Sequence, residues 1–64
     1  MSEKISLVIV EDNELMLLGI SSALEEFEAL DIIGTANNGL AGLEMVRKLK
    51  PNIALVDIFG LKCV

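Results

Sequence analysis

The sequence predicts an α/β domain built on a small parallel β-sheet. Three short apolar runs are separated by two segments whose apolar residues recur every three or four positions. The runs are nearly continuous rather than alternating, as expected for strands that are covered on both faces. Strands that alternate with helices form a parallel sheet, and right-handed crossovers then place the second and third strands on either side of the first. The predicted strand order is therefore 2-1-3.

The first strand is predicted at residues 5–10, and the first helix runs from Asn13 to about Ala29, with Asn13 or Asp12 capping its first turn. Apolar residues at three- and four-residue steps define the expected core-facing stripe of this helix. These are Met16, Ile20, Ala23, Leu24 and Phe27.

The second strand is predicted at residues 32–36 and is followed by a helix over residues 39–50. Its expected apolar face comprises Leu40, Leu43, Val46 and Leu49. Pro51 ends this helix, because proline forces the preceding residue out of helical geometry. The third strand is predicted at residues 53–56.

Size and charge narrow the possible functions. With 64 residues the chain forms one small domain at most, and 53% hydrophobic residues exclude a disordered tail. A net charge of −5 argues against a nucleic-acid surface. The basic cluster Arg47, Lys48 and Lys50 is interpreted as complementing the dipole at a helix end. Histidine is absent, which excludes imidazole chemistry.

The remaining compositional features predict a cytoplasmic protein. The single cysteine, Cys63, has no internal disulfide partner, so a reducing compartment is the simplest setting, and we expect its thiol to be inert. We find no signal peptide at the N-terminus. The apolar run at residues 15–20 is far shorter than the ~20 residues that cross a membrane.

Acidic residues directly follow two of the predicted strands. Glu11 and Asp12 come after the first strand, and Asp57 comes after the third. In a 2-1-3 sheet these strands are neighbours, so the three carboxylates meet at the switch point where such folds bind ligands. Mutual repulsion disfavours this cluster unless a divalent cation relieves it. Taken singly, Glu11 and Asp12 could simply cap the following helix, and Asp57 would more often be a loop cap.

A phosphate-binding loop does not explain the glycines. Gly34 and Gly39 have the spacing of such a loop, but Leu40 and Ala41 stand where Lys and Ser/Thr would be required. Acids rather than glycines follow the first strand, which also argues against a dinucleotide pocket.

Together these segments resemble the first half of a response-regulator receiver domain, of the kind joined to helix-turn-helix output domains. The resemblance extends from about Lys4 to Ile58 and rests on four segments in matching order and spacing. They are Val-Ile-Val-Glu-Asp-Asn at 8–13, Gly-Ile at 19–20, Ala-Asn-Asn-Gly at 36–39 and Pro-Asn-Ile-Ala-Leu-Val-Asp-Ile at 51–58. The resemblance implies a flavodoxin-like fold.

The resemblance also implies a site and a partner. It assigns Asp57 as the acceptor of a phosphoryl group from a sensor histidine kinase or phosphotransfer protein. It implies that Glu11 and Asp12 hold Mg²⁺ together with Asp57 and the backbone carbonyl of Phe59. Mg²⁺ prefers such hard oxygen ligands and retains several waters.

The sequence departs from the family pattern after Ile58. It lacks the expected proline, the fourth strand with its Ser or Thr, and the fifth strand with its lysine, a role that we do not assign to Lys62. We interpret the chain as a receiver truncated after the phosphoacceptor, without an output domain and with impaired switching. The third strand would then be an exposed edge, and we expect a homodimer to complete the half-domain, either by pairing third strand to third strand or by exchanging elements.

An alternative is a non-catalytic interaction module that self-associates. Leu15, Leu17 and Leu18 widen the apolar surface of the first helix all round. In the family this part of the helix faces the kinase, whereas in a self-associating module it would be buried between copies. We identify no general base or transition-state stabiliser, so neither alternative is an enzyme.

Overall fold

Five elements follow one another in the order that the sequence predicts. The computed structural model describes residues 3–57. Strands β1 (Ile5–Glu11), β2 (Leu30–Ala36) and β3 (Ile53–Asp57) alternate with helices α1 (Glu14–Glu25) and α2 (Gly39–Leu49). The strands form one parallel sheet in the order β2-β1-β3. The predicted α/β class and 2-1-3 order are therefore confirmed.

The central strand β1 provides most of the core. Its residues from Leu7 to Glu11 are buried, and Val8 and Ile9 have no exposed surface. Val8 and Val10 lie on one face of the sheet and cluster with Ala36. Half-buried residues of β2 and α2 pack against this cluster, namely Ile33, Ala41, Met45 and Val46. Leu7 and Ile9 alternate with the two valines and therefore lie on the opposite face.

Two glycines allow α2 to approach the sheet closely. A Cβ atom on Gly42 would lie 2.6 Å from Cγ2 of Val10, and one on Gly34 would lie 2.6 Å from Sδ of Met45. Real Cβ atoms do not approach neighbours so closely, so any larger residue would displace the helix or the side chain that it meets. The absence of side chains at these positions thus sets the distance between α2 and the sheet.

This close approach rotates α2 away from the predicted orientation. Of the four residues in its predicted apolar face, Leu40, Leu43 and Leu49 are exposed, and only Val46 packs on the core. That part of the prediction is wrong, because the helix turns its small residues and Met45 toward the sheet instead.

Helix α1 is shorter than predicted, ending at Glu25 rather than near Ala29. A tight turn follows, in which the N–H of Phe27 donates to the carbonyl of Leu24, and β2 starts at Leu30, two residues early. Met16, Ala23 and Phe27, all assigned to the buried stripe, are exposed, whereas Ile20 and Leu24 are half-buried.

Asparagine side chains begin both helices. Oδ1 of Asn13 accepts from the N–H of Met16 at 3.0 Å, and Oδ1 of Asn38 accepts from the N–H of Ala41 at 2.8 Å. Lys50 ends α2 in a left-handed conformation with φ of 49°, directly before Pro51. The residues predicted at the helix ends therefore lie where expected: Asn13 is the N-cap of α1, Arg47 and Lys48 lie in the last turn of α2, and Lys50 is its C-cap.

The two outer strands pair differently with β1. Pairing with β2 shifts register between Leu7 and Val8, whereas pairing with β3 is continuous. At the start of β3, the Ser6 hydroxyl donates to Oδ1 of Asn52 at 3.0 Å and accepts from the Asn52 N–H at 2.8 Å. Neither helix in the described part of the chain is long and apolar enough to cross a bilayer.

Candidate functional site

The predicted acidic residues lie at the carboxyl end of the sheet. Glu11 is the last residue of β1, Asp57 is the last residue of β3, and the parallel register makes them direct partners. This pairing follows from the 2-1-3 order, which brings the ends of the first and third strands together at the topological switch point. The structure thus places two of the three predicted carboxylates side by side.

Glu11 is buried at this edge, with only 3% of its surface exposed. Its Oε2 accepts a hydrogen bond from the N–H of Asn13 at 3.0 Å. Its Oε1 is buried and has no hydrogen-bond partner. Buried polar atoms are nearly always paired, so an unpartnered carboxylate oxygen indicates a position where a ligand atom or cation would be favourable.

Asp12 and Asp57 are exposed, in contrast to Glu11. Asp12 lies in the turn between β1 and the N-cap residue Asn13, so its position is fixed by the strand end on one side and the helix start on the other. Asp57 ends β3, which is the outer strand among those in residues 3–57, and its side chain is exposed. The cluster therefore has one buried member and two accessible ones.

Opposing influences act on the pKa of Glu11, with a net upward shift from its ordinary value of 4.5. The hydrogen bond from the Asn13 N–H lowers the pKa. Burial raises it, and so do the neighbouring carboxyls of Asp57 and Asp12, because a second negative charge disfavours ionisation. The raised pKa of Glu11 is therefore consistent with several acidic side chains lying close together at one end of the sheet.

These residues fit a magnesium ion in chemistry, although they form no complete metal cage. No set of three or more His, Cys, Asp or Glu side chains within residues 3–57 is gathered as a metal site. Mg²⁺ commonly uses only one or two protein carboxylates and keeps its waters. The unpartnered Oε1 of Glu11 and the adjacent Asp57 satisfy that requirement. Phe59, predicted to contribute its carbonyl, lies outside the described residues.

Sequence reasoning did not anticipate the unequal burial of the three acids. Nothing in the residues themselves distinguishes Glu11 from Asp57, since both follow apolar strands. The difference comes from position in the sheet, because among the strands of residues 3–57 β1 has a neighbour on each side and β3 has one. The predicted central position of the first strand was the available signal, and it implies deeper burial of whatever ends that strand.

Comparison with known proteins places this arrangement among signalling domains. No protein-family model matches the chain. It is 39% identical over 54 residues to the transcriptional regulatory protein LnrK of Bacillus subtilis and 35% identical over 54 residues to the response regulator GacA of Pseudomonas aeruginosa. It is 46% identical over 50 residues to a protein-glutamate methylesterase/protein-glutamine glutaminase of Methanosarcina mazei.

These matches cover most of the chain but a small part of each relative. They include 84% of the chain for the first two proteins and 78% for the third. The chain spans only 24%, 25% and 14% of the length of the respective relatives.

A solved structure gives the same assignment. The signal receiver domain of the response regulator NarL from Mycobacterium tuberculosis superposes with a TM-score of 0.84 at 29% identity. The alignment covers 94% of this chain and 50% of that one. Related sequences and a shared fold therefore agree: the chain belongs to the receiver-domain family of two-component response regulators and corresponds to half of such a domain.

Proposed function

We propose that this chain is a phosphoacceptor module of a two-component phosphorelay, with Asp57 as the acceptor and Glu11 and Asp12 as a magnesium-holding pair. The observation that carries the proposal is the register pairing of Glu11 with Asp57 at the carboxyl end of the sheet. The family assignment supports the same roles. The three acids differ in burial in the way that these roles require.

Asp57 suits the acceptor role because its carboxylate is exposed at a strand end. In the proposed reaction a carboxylate oxygen of Asp57 attacks the phosphorus of a phosphohistidine on the donor protein. The new oxygen–phosphorus bond forms as the phosphorus–nitrogen bond breaks, and the leaving imidazole takes up a proton. The product is an acyl phosphate on Asp57.

Glu11 suits a holding role because it cannot move freely. Its backbone belongs to the central strand, and Oε2 is fixed by the Asn13 N–H. Oε1 of the same carboxylate has no hydrogen-bond partner and is therefore the atom that would bind the metal. Bound Mg²⁺ would neutralise charge on the acids and on the incoming phosphoryl group. In the metal-free state the same acids repel that group, so we expect phosphorylation to depend on the metal.

The partner of this module would be a sensor histidine kinase or a phosphotransfer protein. Helix α1 begins next to the acidic site and exposes large apolar side chains. Leu15 is 79% exposed and Leu18 is 63% exposed, whereas Leu17 is half-buried. Leu15 and Leu18 therefore form the proposed contact for the donor protein, on the helix that begins two residues after Asp12.

Intact-mass spectrometry tests the proposal directly. The protein is incubated with Mg²⁺ and acetyl phosphate, with Asp57→Asn and Asp31→Asn as variants. Asp31 is a matched control because it is also an exposed strand aspartate, but it lies near the start of β2. We expect one phosphoryl adduct in the wild type and in Asp31→Asn, and none in Asp57→Asn or when EDTA is added.

Absence of an adduct in the folded, Mg²⁺-containing wild type would refute the acceptor role. Circular dichroism on the same samples establishes that each variant is folded. Metal binding is measured separately by calorimetric titration of Mg²⁺, where Glu11→Gln should weaken binding at least tenfold while Asp31→Asn leaves it unchanged.

A non-catalytic interaction module is the second candidate. It is favoured by the apolar side chains that the described residues expose on every element of the fold except β2. Under this alternative Asp57→Asn changes neither the oligomeric state nor partner binding, and the wild type gains no phosphoryl group. The mass measurement therefore separates the two functions.

A further inference from the structure

The N-caps of the two helices have similar geometry but are followed by different residues. Asn13 and Asn38 both have extended backbone, and each accepts one backbone hydrogen bond through Oδ1, at 3.0 Å and 2.8 Å respectively. Asn13 is followed by Glu14, whereas Asn38 is followed by Gly39. The two caps therefore differ mainly in whether a side chain stands beside the next backbone nitrogen.

That difference matters because an asparagine side chain can react with the backbone nitrogen of the next residue. The nitrogen attacks the side-chain carbonyl carbon, and the two close a cyclic imide. A side chain on the next residue hinders this attack, whereas glycine permits a close approach. The asparagines of the protein and the residues after them form the pairs Asn13-Glu14, Asn37-Asn38, Asn38-Gly39 and Asn52-Ile53. Only one of these pairs contains glycine, so its asparagine should react first.

The side-chain amide of Asn38 is exposed to water and oriented by two hydrogen bonds. Its Nδ2 donates to Oδ1 of Asn37 at 3.1 Å, and its Oδ1 accepts from the N–H of Ala41. The N–H of Ala41 lies at the positive end of the α2 dipole. It would stabilise negative charge that develops on Oδ1 during the attack. The attacking N–H, that of Gly39, belongs to the first helical residue and has no partner within the helix.

We propose that Asn38 is a site of spontaneous deamidation, with water as the co-reactant. The Gly39 nitrogen loses its proton to water and attacks Cγ of Asn38. The new C–N bond forms as the Cγ–Nδ2 bond breaks, and Nδ2 takes up a proton and leaves as ammonia. Water then opens the imide. Cleavage between the Gly39 nitrogen and Cγ gives aspartate, whereas cleavage between that nitrogen and the backbone carbonyl carbon gives isoaspartate.

Deamidation would add a negative charge at the carboxyl end of the sheet, where the acids already lie. Ala36 ends β2 and pairs with Val10, the residue before Glu11, and Asn38 follows two residues later. Aspartate keeps a capping oxygen, so α2 would retain its first turn. Isoaspartate adds a carbon to the backbone and moves the carboxylate, so it would not cap α2. The modification is independent of phosphoryl transfer, since it requires neither a metal nor Asp57.

Timed incubation of the protein at pH 8 and 37 °C, followed by intact-mass spectrometry and peptide mapping, tests the proposal. We expect the mass gain of one NH₂ replaced by OH, located at residue 38 before any other asparagine changes. Gly39→Ala should slow this reaction at least tenfold, and it should leave α2 intact because alanine is the better helix former. No mass gain in the folded wild type, or an equal rate in Gly39→Ala, would overturn the proposal.

Glu14→Gly is the matched variant with the opposite expectation. It places a glycine after the other N-cap asparagine, so Asn13 should deamidate at least tenfold faster than in the wild type. Circular dichroism establishes that both variants are folded. If Glu14→Gly does not fold, the comparison of Gly39→Ala with the wild type decides alone. An unchanged rate at Asn13 in folded Glu14→Gly would overturn the argument from the following residue.

The two products are separated by anion-exchange chromatography, with Asn38→Asp marking the elution position of the aspartyl form. We expect the aspartyl form to melt at or above the temperature of the wild type, because its cap is retained and its new charge lies at the positive end of α2. The isoaspartyl form should melt at a lower temperature, because α2 loses its cap. Equal melting temperatures for the two products would overturn the predicted loss of the cap.

Discussion

β1 and β3 are similar in sequence and opposite in environment. Both are short apolar strands that end in a carboxylate, and they are direct neighbours in one register. Five of the seven residues in β1 are buried, and none of the five in β3 is. The contrast shows that an apolar run of residues specifies a strand, whereas the elements that pack beside that strand determine how far it is buried. It also divides the proposed site into a fixed acid, Glu11, and an accessible acid, Asp57.

The largest expected difference between the two strands is in stability. Ile9→Ala removes a completely buried side chain and should cost about 2–5 kcal/mol, enough to unfold much of a small domain. Leu55→Ala removes a side chain that is 39% exposed and should cost about 1 kcal/mol or less. Urea unfolding followed by circular dichroism, at low protein concentration, measures both. Equal losses would contradict the contrast between the strands.

The packing of α2 on β1 gives the next largest effect. Gly42→Ala forces a Cβ atom against Val10 and should cost about 1–3 kcal/mol of packing, partly offset by about 1 kcal/mol from the better helix propensity of alanine. Gly19→Ala in α1 is the control, because no atom lies within 4 Å of the added methyl group apart from its chain neighbours and the backbone of its own helix. Thermal unfolding should show a lower midpoint for the first variant and a higher one for the second. A rise in both would mean that α2 does not touch β1 as described.

The hydrogen bonds between Ser6 and Asn52 join β1 and β3 at the amino end of the sheet. Ser6→Ala removes both bonds of the hydroxyl and should lower the free energy of unfolding by about 1 kcal/mol. Ser22→Ala, an exposed serine within α1, is the matched control and should be neutral or stabilising. Urea titration distinguishes them, and an unchanged midpoint in Ser6→Ala would show that the two hydroxyl bonds do not help to hold β3, whose backbone bond from the residue 6 N–H to Asn52 remains.

The smallest expected effect concerns pH. The pKa of Glu11 is raised in the folded protein, so the folded state binds its proton more tightly than the unfolded state does. Stability should therefore fall as pH rises from about 4.5 through the raised pKa, with the full penalty present at neutral pH. Glu11→Gln should remove this part of the pH dependence and unfold at a slightly higher temperature than the wild type at pH 7.

That experiment is performed in EDTA, so that no cation compensates the carboxylates. Asp57→Asn serves as the comparison, since it removes one neighbouring charge while leaving Glu11 ionisable. It should reduce the pH dependence without abolishing it. If Glu11→Gln and the wild type have the same melting temperature from pH 4 to 8, the acids do not interact across the register.

Sequence periodicity identified the strands better than the helix faces. The apolar runs predicted the ends of all three strands to within two residues. Few secondary structures other than a buried strand suit a short, continuous apolar segment between polar loops. The predicted core-facing side of α2 was wrong, because Leu40 and Leu43 were assigned to it on their hydrophobicity. The actual contact depends on the absence of a side chain at Gly42, which allows Ala41, Met45 and Val46 to reach β1 and β2.

The sequence predicts which residues form the site, but it does not predict their burial or hydrogen bonding. The 2-1-3 order brings Glu11 and Asp57 together, and this follows from handedness and strand sequence alone. The unpartnered Oε1 of Glu11 depends on how the turn to α1 orients Asn13, which no residue pattern specifies. The predicted roles of Asp57, Glu11, Asp12 and Phe59 in phosphoryl transfer and metal binding stay predictions.

The Ser6–Asn52 link also bears on the order in which the sheet assembles. These residues are 46 positions apart, about twice the separation of the β1–β2 partners Ile5 and Leu30. Closing a loop of twice the length costs about 0.6 kcal/mol more entropy, so β1–β2 pairing should precede docking of β3. The last strand to dock is also the first to detach. Amide hydrogens of β3 should thus exchange with deuterated water before those of β1, exposing the Asp57 end of the sheet while the remainder stays folded.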